Sequence, residues 1–405
     1  MIKNIVRIIY LIILVALFKN LFVTILSKEV LFSIKMFSLV CAFGLMIYVY
    51  RKTGKNVSRF VRYAISGYIL VVIAGLALAL TSEYGWLGFL YHYSTYLGYT
   101  PMLIGIYSIQ TATGYPIVKQ VLGFVFKLIF LMLVGVLGDG LLAKRGIDYL
   151  SFIPSQDADG VVRANFLLEA PTNIFFYVSV GLIICEKCQI KGLLATGFIV
   201  VSLFASLFAF SRLPLALSCL AVSIYIVLNR MWYQMTVIGF IAAFIFYSLN
   251  AEVNVYTERF YALLDLAGDE SRFQTYSRFL KYFAESSLWV QLKGAGLGAS
   301  SSNFSEIFNK TYVGHFESSL LLIAVEAGGP FAVLCIFGAF ILVYRHSRQN
   351  LVAGGIVGLM IINLALVPSI LGYEVPLLIH VTILLMCCND REQLSSRKTV
   401  SRSEM

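Results

Sequence analysis

Long apolar runs separated by short connections recur along the whole chain, at about 5–26, 31–50, 63–81, 98–113, 117–138, 166–185, 192–210, 213–229, 235–250, 319–343, 351–371 and 374–388. Most approach the roughly 20 residues that a helix needs to cross ~30 Å of hydrocarbon, where only helices and closed barrels satisfy their own backbone. Runs of this length exclude a β-barrel, whose strands are shorter and alternate. The expectation is an all-α integral membrane protein of about twelve transmembrane helices forming one domain over 1–405. An even number of spans places both termini on one side.

Three connections are longer than the rest, at 82–97, 139–165 and 251–318. The last is the one long stretch too polar for lipid, and it runs directly into an apolar segment. The polar tail 389–405 reads as a short cytoplasmic extension. Segment 82–97 is rich in aromatic residues, among them Tyr84, Trp86 and Tyr91, as expected of an interfacial belt.

Composition agrees with the pattern. Hydrophobic residues make up 59% of the chain and charged residues 13%, outside the range of soluble domains. A net charge of +10 would suggest nucleic acid for a soluble protein. Here the cations collect on alternate connections, including Arg51–Arg62, Lys187 and Lys191, Arg345 and Arg348, and the tail. The positive-inside rule makes those segments cytoplasmic, so 251–318 faces outward and nucleic acid is not a partner. Lys3 and Arg7 precede an apolar run as in a signal peptide, but no small-residue cleavage site follows, so the run is expected to be a retained helix. The seven cysteines avoid the long polar loops and imply no disulfide framework, and Cys185-Glu-Lys-Cys188 lacks a second ligand pair.

Candidate chemistry gathers around the long loop. Arg212 lies in a tight outer turn, Ser211-Arg212-Leu-Pro214, where a planar guanidinium can grip phosphate oxygens as a fork. Arg259, Arg272 and Arg278 follow in the loop. On a helix over 271–284, positions 272 and 278 stand about 240° apart, so only one of the two faces a site squarely. Arg272 is favoured, and Arg278 reads more readily as a solvated or headgroup-facing charge. Gly294, Gly296 and Gly298 lack the strand and spacing of a dinucleotide fingerprint. As a backbone turn they either let the loop approach the bundle closely or present N–H groups to an anion; otherwise they mark simple loop flexibility. His315 and Glu317 precede the tenth run, and either can take a proton from a sugar hydroxyl. Both acting together requires a non-helical 314–318, because two helical residues at that spacing diverge by about 200°. Asp157-Ala-Asp159 has the DxD spacing of a divalent-ion site within a typical turn composition. His92, His346 and His380 are scattered, and no metal constellation emerges.

Ser211-Arg212 between two runs, Glu258-Arg259-Phe260, Glu270-Ser-Arg272-Phe-Gln-Thr-Tyr276, the glycine cluster, Glu317-Ser-Ser-Leu320 and Glu326-Ala-Gly328 occur in an order that resembles the bacterial O-antigen polymerase (Wzy-type) and O-antigen ligase superfamily. Arg163 with Pro171-Thr-Asn173 adds to this, so the resemblance covers roughly 160–345, and the N-terminal runs match in hydropathy alone.

The resemblance implies a multi-span, GT-C-like glycosyltransferase of the bacterial inner membrane, with its site facing the periplasm and no metal or other cofactor. Its substrate would be an undecaprenyl-pyrophosphate-linked oligosaccharide, held by Arg212, Arg259 and Arg272 with Arg278 as a further candidate. Membrane lipid and a chain-length regulator protein are the implied partners, and Glu317 or His315 the implied base. Ligases carry a histidine nine residues before the glutamate of Glu-x-Gly; that slot here is Glu317, with His315 two positions earlier, which favours polymerase over ligase. A lipid-linked oligosaccharide flippase or transporter is the alternative from another class. It would be expected to place charged or broken helices at mid-bilayer and to have only modest outer loops.

Overall fold

The computed structural model describes residues 2–18, 28–53, 59–80, 89–90, 97–114, 116–143, 164, 166–168, 170–209, 211–233, 235–236, 239, 270–296, 318–366 and 374–387. Among them the fold is all-α, as expected. The helices are α1 (Ile2–Leu17), α2 (Lys28–Thr53), α3 (Arg59–Leu80), α4 (Thr100–Thr113) and α5 (Ile117–Ala143). A 3-10 turn, η1 (Pro171–Asn173), leads into α6 (Ile174–Lys187), α7 (Leu193–Phe208) and α8 (Arg212–Leu228). Then come α9 (Glu270–Glu285), α10 (Leu288–Lys293), α11 (Ser319–Ala327), α12 (Gly329–Ser347), α13 (Leu351–Leu366) and α14 (Glu374–Cys387).

The bundle is built around α6. Every residue from Ile174 to Cys185 is buried, because α5, α7, α8, α13 and α14 all pack against it. A helix apolar on all faces has no solvent stripe to present and goes to the centre. Gly181 permits the closest of these approaches, since a Cβ there would run into the ring of Phe198 on α7. That ring also lies 5.2 Å from Phe126 and 6.2 Å from Phe130 of α5, measured between centroids. The start of α6 follows from Pro171: Ala170 before it is extended (φ −151°, ψ 147°), and the proline ring fits the first turn that follows.

At the other end of α6, the carboxylate of Glu186 ties three helix ends together. It accepts from Asn229 Nδ2 at 2.9 Å and from Asn350 Nδ2 at 3.0 Å, while Asn350 Oδ1 caps α13 through the Ala353 amide. The end of α8 thus meets the start of α13, so the two helices run antiparallel, with Gly355 facing Ile224. Their opposite ends, at Arg212 and Leu366, share the other side of the bundle.

Four expected runs differ from the helices. In 166–185 the α-helix begins only at Ile174, after η1. The run 319–343 is broken at Gly328, which has φ +91°, a conformation open to glycine that ends α11. The run 117–138 continues to Ala143, so Asp139, expected in a loop, stands on α5; it is 2% exposed and its Oδ2 accepts the Phe166 amide at 3.0 Å. Of 235–250, only 235–236 and 239 lie among the described residues. Within the described residues, Ile117–Leu142 is the single helix long and apolar enough to cross a bilayer. The outer face of α12 is apolar and open: Leu334, Phe337, Phe340, Ile341 and Tyr344 are each at least 60% exposed.

Candidate functional site

Arg212 lies on the side of the bundle that it shares with Leu366. Ser211 is extended (φ −100°, ψ 111°) and buried, and Arg212 opens α8, with η1 and its buried Asn173 packed alongside. Arg212 is therefore the first residue of a helix instead of part of a free turn. Pro214 explains the boundary: a proline is tolerated in the first turn, whose amides have no intrahelical partner.

Helix α9 brings the second arginine-bearing segment to the same side. The Tyr276 hydroxyl donates to the Ala365 carbonyl at 3.2 Å, on the last turn of α13. Phe279 and Tyr282 continue that face and pack on Leu322 and Val325 of α11. Position 272 lies one turn before Tyr276 on the docked face, whereas Arg278 is exposed on the open face beside Ser277 and Lys281. The carbonyl end of α13, on which α9 docks, is a favourable environment for cations.

The glycine cluster does what close backbone approach requires. After α10, Gly294 (φ +81°) turns the chain so that Ala295 N–H donates to Val325 O at 2.7 Å and Gly296 N–H donates to Glu326 O at 3.2 Å. A Cβ on Gly294 would strike the Glu326 carbonyl, and one on Gly328 would strike that of Leu292. Of the two roles open to the cluster, Gly294 and Gly296 fill the first: Ala295 and Gly296 spend their amides on the end of α11, not on an anion. Gly298 lies outside the described residues. The corner between α9 and α10 is fixed by Gln291 Nε2, which donates to Phe283 O at 2.7 Å and to Ser286 O at 3.1 Å. Burial raises the Tyr282 phenol pKa above its usual value, opposed in part by a hydrogen bond with Ser286.

Arg259, His315 and Glu317 lie outside the described residues, as do the guanidinium groups of Arg212 and Arg272 and the pair Asp157 and Asp159. Among the described residues no group of three His, Cys, Asp or Glu stands together. His380 lies elsewhere in the core: the Pro376 carbonyl at 2.6 Å can only accept, so Nδ1 carries the proton, and Nε2 meets Thr100 Oγ1 at 3.0 Å. Cys185 is a buried free thiol and Cys188 a half-buried one.

No protein-family model and no curated protein matches the chain.

One feature of the site was not anticipated from the sequence. Ser179 on α6, Ser218 on α8 and Asn363 on α13 are fully buried, and their side chains find no hydrogen-bond partner among the described residues. These helices pack mutually, and the three positions stand roughly 5–9 Å along their helices from the arginine-bearing side, at 1.5 Å per residue. Buried polar atoms are ordinarily satisfied, so this level is a polar spot under the site. An asparagine within the apolar run 351–371 was the one signal for it.

Proposed function

We propose that the chain is a multi-span inner-membrane glycosyltransferase that polymerises an O-antigen or related surface polysaccharide. About twelve helices would cross the bilayer, with 251–318 in the periplasm. The open apolar face of α12 supports a lipid surrounding, because a monomeric soluble protein rarely exposes a contiguous patch of that kind. The observation that carries the reading is the hydrogen bond from Tyr276 to the Ala365 carbonyl, which docks the helix bearing Arg272 at the end of α13, on the side of the bundle where Arg212 opens α8.

In the reaction, the hydroxyl oxygen of a new lipid-linked repeat attacks the anomeric carbon of the growing glycan. The bond from that carbon to the undecaprenyl pyrophosphate oxygen breaks, and its electron pair leaves on the diphosphate. Arg212, Arg259 and Arg272 stabilise the charge that develops there, a task for preorganised cations that needs no cofactor. The hydroxyl proton passes to Glu317 or His315. Ser318, which follows them in sequence, is extended (φ −147°, ψ 129°) and caps α11.

The test incubates the purified protein with lipid-pyrophosphate repeat units and separates the products on a gel. A ladder of lengthening glycans is expected. Attachment only to lipid A-core would identify a ligase, and unchanged substrate in both assays would favour transport.

A further inference from the structure

A groove of about 710 Å³ lies between α1 and α2, far along the chain from the arginine-bearing segments. It runs from Asn4 to Val15 on α1 and from Phe37 to Tyr48 on α2, and its walls are almost entirely apolar. A parallel pair with Asn4 beside Phe37 would set Lys28 about 35 Å along the axis from Phe18 and a helix width to the side, beyond the ~35 Å that ten fully extended chain steps reach, so the two packed helices run antiparallel. Asn4 and Tyr48 therefore mark one end of the groove, and Val15 and Phe37 the other.

Three cations stand at the end marked by Asn4 and Tyr48. Arg7 lies one turn from Asn4 and Leu11 on the same face of α1, and Lys3 one turn before Arg7. Arg51 lies one turn beyond Tyr48 on α2. All three cations are exposed. Eleven helical residues span about 16 Å, half of the ~30 Å hydrocarbon thickness, so the groove matches the depth of one leaflet.

We propose that this groove holds one acyl chain of an anionic glycerophospholipid of the cytoplasmic leaflet, with the phosphate headgroup on Lys3, Arg7 and Arg51. A groove one leaflet deep with cations at one end fits a two-chain phospholipid, and is too short for a polyprenyl tail. The proposal rests on the membrane part of the reading above and is independent of the glycosyl transfer.

The test is native mass spectrometry of the full chain, extracted in mild detergent and mixed with dioleoylphosphatidylglycerol or dioleoylphosphatidylcholine. One phosphatidylglycerol per chain should be retained in preference to phosphatidylcholine. Arg7→Gln and Arg51→Gln should each weaken its retention about fivefold. Gly44 lines the groove with nothing within 4 Å of an added Cβ, so Gly44→Leu should fill it without disturbing its neighbours and weaken both lipids. Equal retention of the two lipids, or undiminished phosphatidylglycerol in all three variants, overturns the proposal. Loss of the chain from carbonate-washed membranes overturns the membrane reading, and the lipid site with it.

Discussion

The Ala295 amide reaches the Val325 carbonyl across 2.7 Å, so the end of one short helix is closed by the segment that follows another. Helices α10 and α11 terminate on each other, with Gly294 and Gly328 as the two points of closest backbone contact. That reciprocal closure fixes the polar segment 270–296 to the apolar bundle.

Either glycine should therefore resist substitution. Gly294→Ala and Gly328→Ala each place a Cβ against a carbonyl at positive φ, at a strain cost of about 1–3 kcal/mol before any overlap. Thermal unfolding and limited proteolysis should show early release of 270–296. Gly338→Ala on α12, where nothing lies within 4 Å, should be neutral or slightly stabilising.

Gly181 and Phe198 should be energetically coupled. Gly181→Ala overpacks against the ring and should cost about 1–3 kcal/mol. Phe198→Leu leaves space, and the double variant should recover part of the loss, with a coupling of about 0.5–3 kcal/mol in a stability cycle. Strict additivity would contradict the packing described here.

The register of α9 predicts different outcomes for its two arginines. Arg272→Ala, on the docked face, should lower the polymerisation rate by roughly 10²–10³-fold, the usual cost of removing one group that stabilises developing charge. Arg278→Ala, on the open face, should retain most activity. Equal losses would place the diphosphate elsewhere.

Alkaline pH should loosen the α9 contact. The Tyr282 phenol keeps its proton to higher pH in the folded chain than in the unfolded one. Its contribution is complete below the unfolded value of 10.0 and is lost as pH rises through the higher folded value. The unfolding temperature should fall above about pH 10, and Tyr282→Phe should flatten that fall. Phenolate absorbance measures the titration directly.

What the sequence disclosed follows from how far each signal reaches. Long apolar runs such as 351–371 announce helices, because no other element satisfies the backbone of such a run. The glycine cluster pointed to close backbone approach as one of its roles, and a helix over 271–284 matches α9 (Glu270–Glu285). The break at Gly328 was hidden because the apolar pattern continues through it, and hydropathy does not register a φ angle. Asp139 was assigned to a loop because a carboxylate usually ends an apolar helix; its partner, the Phe166 amide, is distant in sequence. Ser179, Ser218 and Asn363 become buried only when α6, α8 and α13 pack, and no spacing along the chain foretells that.

Helix α6 touches neither solvent nor surroundings along Ile174–Cys185, and five neighbours grip it at once. Such a post cannot rotate or slide unless all five yield together. If the chain handles a glycan as proposed, the gap that admits it opens among the peripheral helices, with the central one as the fixed reference against which they move.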